Sequence, residues 1–243
     1  KEECITDAVI CGGDGSVNQV VNALAHTGIR FGIVPMGSGN GLALAARIPR
    51  NSLKALEIVF RGEAHPTDAF MVNDDFACML CGLGFDAKVA HEFAQQPKRG
   101  LGTYASLSTK NFISAQPYHF DIEANGIRFE SDAYFVSIAN SNQFGNNFTI
   151  APRALLSDGL LDIVVVKKTA KPLLLLNVMR QVLAGQLRRV ESSLKSPVIY
   201  FQTRELHILN TDNAPLHIDG EPRETEKSFR IRILPHFFLL IHG

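Results

Sequence analysis

The sequence predicts an α/β plus all-β protein: a parallel α/β domain followed by an antiparallel β-sandwich domain. Three observations predict it. Two apolar strands near the start each run into a glycine-rich turn followed by a helical pattern. Beyond Pro66 the texture changes to short runs of β type. The length of 243 residues, 46% of them apolar, suits one large or two ordinary cores.

The first strand is Ala8 to Cys11, opening into Gly12-Gly13-Asp14-Gly15-Ser16; Val17, Val20, Val21 and Leu24 then recur at helical spacing. A second strand, Phe31 to Val34, opens into Gly37-Ser38-Gly39-Asn40, with a helix expected from near Gly41. Strand, loop and helix repeated in this order place both loops on one edge of a parallel sheet. Pro49 and Asn51-Ser52 interrupt, and Leu53, Leu56, Ile58 and Val59 predict a helix ending at Gly62. We place a domain boundary near Pro66, giving a first domain over 1–66.

The β-type runs that follow are Ala69 to Val72, Phe76 to Cys81, His119 to Ala124, Tyr134 to Ala139, Leu161 to Val166, Ser196 to Thr203, Glu205 to Leu209, Leu216 to Ile218 and Phe229 to Leu234. Asn125-Gly126 is a hairpin signal. They predict a sandwich over 67–233, interrupted by helices at Ala87 to Phe93, with a basic continuation through Lys98 to Lys110, and at Pro172 to Arg189. A last strand, Phe229 to Leu240, is expected to bring 234–243 back toward the first domain. There is no internal repeat and no low-complexity segment.

Composition narrows the function. Zero net charge argues against a nucleic-acid binder. Four cysteines, no signal peptide and no apolar run long enough to cross a bilayer point to a cytoplasmic setting. Cys78 and Cys81 have a redox or zinc spacing, but in a strand residues three apart face opposite sides, so they read as packed thiols. The histidines lack ligand spacing. The apolar helix at 172–189 reads as a cover for the sheet, Lys98-Arg99 and Lys167-Lys168 as solvated surface, and the sequon at Asn147 as unused in a cytoplasmic chain.

Small residues at the two turns let backbone N–H groups approach an anion, and the following helix dipoles add positive potential, so the pair reads as a polyphosphate cradle. A Walker loop is excluded, since no Lys and Ser or Thr follow in register. A dinucleotide fingerprint fails at Gly37 to Leu42, where the last position is Leu, and Gly82-Leu83-Gly84 lacks a second strand ending in an acid. Asp14 is the anomaly. Phosphates repel a carboxylate, so it reads as handling a proton or a hydrated metal, the plainer alternative being a cap for a helix starting near Ser16.

These loops, with Val17-Asn18-Gln19-Val20-Val21-Asn22 after the first and Pro35-Met36 before the second, resemble the diacylglycerol kinase catalytic-domain family, which includes bacterial diacylglycerol and YegS-like lipid kinases and the sphingosine kinases. The likeness continues in Ala151 to Asp162 and in Ile218-Asp219-Gly220-Glu221. Family members begin with an earlier strand and turn that also touch the nucleotide, so the chain is expected to be a fragment.

The resemblance implies an ATP-dependent kinase that transfers the γ-phosphate to a lipid hydroxyl, diacylglycerol-like. ATP would be held by Gly12, Gly13, Asp14, Gly15, Ser16, Val17, Asn18, Gly37, Ser38, Gly39 and Asn40. Magnesium would be held by the Asp158 carboxylate and the carbonyls of Leu155 and Leu160, oxygen ligands completed by water. Asp158-Gly159 alone could be only a turn, and Asp219-Gly220 only a hairpin turn. The resemblance makes Glu221, Asp14 and Asp219 the catalytic carboxylates: Glu221 follows the bacterial branch as proton acceptor, Asp14 the sphingosine kinases, and we prefer Glu221. The expected partner is a lipid presented at a membrane surface, with a peripheral location and a homodimer both compatible. Rival readings are a sphingoid-base kinase, favoured by Gly41 where many bacterial members carry Asp, then an NAD kinase-like enzyme or a non-catalytic nucleotide binder.

Overall fold

A computed structural model describes residues 4–96, 101–143, 151–169 and 196–243. The helix expected at 172–189, the sequon at Asn147 and Lys98-Arg99 lie outside these residues.

The first elements are β1 (Asp7–Gly12), α1 (Asp14–Leu24), β2 (Arg30–Pro35), α2 (Gly41–Ala45) and α3 (Ser52–Arg61). β1 and β2 pair in parallel from Asp7↔Arg30 to Gly12↔Pro35. Phe31 to Val34 are all buried, as a parallel strand covered on both faces requires. α3 is capped by Asn51, whose Oδ1 accepts the Lys54 N–H at 3.1 Å. Its Val59 packs where a side chain on Gly32 would stand. The helix after the second glycine turn is shorter than its sequence pattern suggests: α2 ends after five residues, so its dipole is small.

Next come β3 (Glu63–Val72), β4 (Asp75–Ala77), β5 (Leu80–Gly84), the helices α4 (Phe85–Ala94) and α5 (Leu101–Ser114), β6 (Tyr118–Ala124), β7 (Ile127–Ala139) and β8 (Leu161–Lys167). β9 (Val198–Thr203), β10 (Glu205–Asn210), β11 (Leu216–Ile218), β12 (Glu221–Arg223) and β13 (Ser228–His242) complete the chain. Apart from the parallel contacts of β2, all the pairings among the described residues are antiparallel. Asn125 and Gly126 both take positive φ and close the β6–β7 hairpin.

Three findings bear on the site. β3 passes through Pro66, paired opposite Leu239, so one continuous strand spans the point where the composition changes. β13 links the two sets of strands: it pairs with β10 and β3, and its far end runs parallel to β2 at Leu239 and Leu240. The apolar run Phe76 to Cys81 is not one strand. It breaks at Cys78 and Met79, because the N–H groups there turn inward to a carboxylate from a distant hairpin.

Side chains gather into two apolar clusters. Ile10, Phe31, Ile33, Leu42 and Leu240 anchor one; Phe70, Phe120, Ile138, Leu206 and Phe229 anchor the other, inside the sandwich. Each such side chain contributes about 1.5–3 kcal/mol on burial. Cys78 belongs to the first cluster and Cys81 to the second, both as free thiols.

Candidate active site

The two glycine turns leave adjacent parallel strands at the same edge, joined by the Met36 N–H donating to the Gly12 carbonyl at 2.9 Å. They touch backbone to backbone. A Cβ on Gly37 would stand 2.5 Å from Gly13 Cα, so a side chain at Gly37 would push the loops apart. Gly12 is covered by Ser16, 2.7 Å from where its Cβ would be.

Much of the second turn's polar capacity is spent internally. Asn40, in the left-handed region at φ 56°, accepts the Gly37 N–H at 2.8 Å and donates to the Gly37 carbonyl at 2.7 Å. The turn is thereby preorganised, and the Gly37 N–H and Asn40 side chain already have partners. Gly39 offers its carbonyl to Arg50 at 3.3 Å. Ser38 is exposed beside them.

α1 begins at Asp14, two residues before Ser16, with Gly13 as its N-cap and no side-chain capping bond. Asp14 is therefore inside the helix and does not cap it. Its carboxylate reaches across to the second turn, where Oδ1 accepts the Leu42 N–H at 3.3 Å. Burial pushes its pKa up, the N–H groups of Gly41 and Leu42 oppose that, and the charge of Asp219 adds to it. Val17 is packed in the core. Asn18, expected to grip nucleotide, is buried and donates to the Phe76 carbonyl at 3.0 Å and to Asp219 Oδ2 at 2.7 Å.

Asp219 is the centre of this arrangement. With Gly220 it forms a two-residue turn, both residues at positive φ, closed by the Ile218↔Glu221 pair between β11 and β12. Its Oδ1 accepts the N–H groups of Met79 and Leu80, each at 2.9 Å. Its Oδ2 accepts the Cys78 N–H at 3.0 Å, the Cys78 thiol at 3.3 Å and Asn18 at 2.7 Å. Burial first, then this carboxylate, hold the Cys78 thiol well above its usual range, so it stays a donor. Five donors saturate Asp219.

Glu221 has the opposite character. It is exposed, and a Cβ on Gly15 would lie 3.4 Å from its Oε1, so the carboxylate rests against the first glycine turn. Among the three carboxylates it is the one open to an incoming group.

Leu155, Asp158 and Leu160 form a separate loop. Asp158 Oδ1 accepts the Leu160 N–H at 3.0 Å, while the Gly159 N–H donates to Asp68 Oδ2 at 2.7 Å. Burial raises the Asp158 pKa, and Asp68 adds to it by charge repulsion. One carboxylate and two carbonyl oxygens, the donor set expected here, are the oxygen-only chemistry that suits magnesium, and Asp68 adds a second carboxylate to the same loop.

Asp68 was not evident from the sequence, where it stands just before the unremarkable β run Ala69 to Val72. Its N–H donates to Leu156 O and its Oδ1 accepts the His236 N–H, both at 2.7 Å. Its carbonyl accepts from Asn140 at 2.8 Å; Asn140 also donates to the Cys78 carbonyl at 3.1 Å. A continuous set of hydrogen bonds thus runs from the Asp158 loop through Asp68, Asn140 and Cys78 to Asp219.

Residues 80–242 match the YegS C-terminal NAD kinase beta sandwich-like domain, and residues 3–72 match the diacylglycerol kinase catalytic domain. The chain is 30% identical to a Shewanella frigidimarina protein named "Probable lipid kinase YegS-like", covering 93% of this chain and 73% of the relative. A protein of the same name from Pectobacterium atrosepticum is 31% identical over 94% and 75%. The "Diacylglycerol kinase" of Bacillus subtilis is 29% identical over 88% and 70%. In fold, a diacylglycerol kinase structure from Bacillus anthracis superposes with a TM-score of 0.73 at 20% identity, covering 98% of this chain and 76% of that one. A second structure from that organism gives 0.81 at 22%, covering 98% and 78%.

Proposed function

The chain belongs to the diacylglycerol kinase catalytic-domain family of lipid kinases, with its YegS-type β-sandwich, and from that premise we propose that it transfers the γ-phosphate of ATP to a lipid hydroxyl. The observation that carries this reading is Glu221 resting against the first glycine turn. A hydroxyl is too weakly acidic to ionise before attack, so a carboxylate in reach must take its proton as the new bond forms. Glu221 is open for that role, and Asp219, saturated by donors, holds the hairpin that carries it. Gly12, Gly13, Gly15, Ser16, Ser38 and Gly39 form the rim against which phosphates would lie, with Asp14 bridging the two turns from below. The acceptor would lie at a membrane surface; among the described residues no helix is long and apolar enough to cross one.

Magnesium bound by Asp158 and the carbonyls of Leu155 and Leu160 would supply positive charge beside Asp68. From there the hydrogen bonds through Asn140 and Cys78 transmit the loop's position to Asp219. Replacing Asp158 by Ala should therefore lower activity and abolish stabilisation by the ion. At a hundredfold excess over Kd a ligand adds about 2.7 kcal/mol, or roughly 5–10 °C of melting temperature for a chain this size. Equal melting with and without magnesium, in both parent and variant, would discard the site.

A sphingoid base is the second acceptor to consider, because Gly41 stands where many bacterial members carry Asp, and a Cβ there would lie 2.7 Å from Met79 Sδ, so that side chain would have to move. The deciding assay follows radiolabelled phosphate from ATP into diacylglycerol or sphingosine micelles and, in parallel, into NAD, with and without magnesium. Label in lipid supports the proposal and identifies the acceptor. Label in NAD, or ATP binding without transfer to any acceptor, rejects it.

A further inference from the structure

The hairpin carrying Asp219 and Glu221 is gripped from its other side by a buried pair that none of the chemistry above uses. His217, in β11, has no solvent exposure, and its Nε2 lies 3.4 Å from Oδ2 of Asp86, itself buried in the first turn of α4. The other oxygen of Asp86 accepts the Ala87 N–H at 2.8 Å, which fixes the carboxylate's orientation. The pair sits directly above Gly82, the cross-strand partner of His217. A Cβ there would lie 2.0 Å from Asp86 Oδ2 and 2.5 Å from His217 Nε2, so the sheet reserves this space for the pair. One residue earlier in β11, the Leu216 carbonyl oxygen lies 2.7 Å from His91 Nε2, a second tie between α4 and the hairpin.

Strand alternation makes this grip a lever. His217 pairs with Pro222, and directly opposed residues share a face. α4 packs against β5, β11 and β12, so His217 and Pro222 face the helix. Glu221, next to Pro222, faces away and meets Gly15. Any tilt of the hairpin about α4 moves the Glu221 carboxylate relative to the glycine turn.

We propose that Asp86 and His217 are positioning residues that set the reach of Glu221 across the site, an inference resting on the lipid-kinase reading above. A buried pair is a costly way to gain stability alone, since replacing both members by apolar residues is often neutral. What an apolar contact cannot reproduce is the placement of two polar side chains, 3.4 Å apart, in the space over Gly82. Errors of about 1 Å in placing a reacting group cost on the order of a hundredfold in rate.

The test uses His217→Leu, the double variant His217→Leu with Asp86→Leu, and His217→Gln, which keeps a donor near Nε2. Melting temperature, kcat with the lipid acceptor and KM for ATP are measured for each. His217→Leu should lower both melting and kcat. The double variant should recover melting to within a few degrees yet keep kcat at least about tenfold down, with KM for ATP unchanged throughout. Recovery of kcat in step with melting, or a rise in KM for ATP matching the fall in kcat, would show that the pair is structural only. If the double variant does not fold, His217→Gln decides. A kcat within about threefold of the parent supports positioning, and a tenfold loss at parental melting overturns it. A parent that phosphorylates no lipid rejects the kinase reading itself, an outcome distinct from these.

Discussion

Glu221→Gln is expected to lower kcat about a hundredfold or more while ATP binding stays within about twofold of the parent, because general-base catalysis contributes roughly 10²–10⁴ in rate and nothing to ground-state affinity. The side chain is exposed and lies against Gly15, so the amide fits without disturbing the fold. Asp14→Asn separates the two carboxylates. Burial raises the pKa of Asp14, so ionising it opposes folding. That cost is absent below the ordinary carboxylate range, grows as pH rises from that range to the raised value, and is fully present above it. Asp14→Asn retains an acceptor for the Leu42 N–H and should melt higher than the parent at pH 7, with the advantage vanishing in acid. Its activity should fall with an altered magnesium dependence. Should Glu221→Gln keep near-parental kcat while Asp14→Asn abolishes turnover at every magnesium concentration, Asp14 is the base.

What could be read from the sequence was whatever is encoded locally. β1, β2 and β8 are short apolar runs beside glycine or turn residues, and Asn125-Gly126 states its turn in two residues. The glycine turns were legible for the same reason, although their mutual contact through Gly13 and Gly37 was not. What stayed hidden was set by partners far along the chain. Phe76 to Cys81 has the composition of one strand; its break is imposed by Asp219, about 140 positions away. Asn18 sits where a nucleotide contact was expected, but its amide is committed to Phe76 and Asp219. Asp68 and the Asp86–His217 pair carry no local signature at all. Only Gly82, in a strand where glycine is otherwise unfavourable, hinted that something approaches closely there.

Asp219→Ala should be the most destabilising single change at the site. It removes the acceptor for three backbone N–H groups, at Cys78, Met79 and Leu80, and for the Asn18 amide, all at buried positions. An unsatisfied buried donor costs about 1–3 kcal/mol, so even partial relaxation leaves a loss of several kcal/mol, about 10 °C or more in melting temperature. Alanine also meets a backbone strain that aspartate tolerates better, since position 219 has φ 49°. Asp219→Gly relieves that strain while still removing the acceptor, so the two contributions separate. Glycine should regain only about 1 kcal/mol of the loss. The deficit that remains measures the inward-turned amides, and with them the break that places β4 and β5 around the hairpin. Were Asp219→Gly to melt within about 2 °C of the parent, the amides would have other acceptors and Asp219 would be an ordinary turn residue. In that case Glu221 would have to be held by α4 alone.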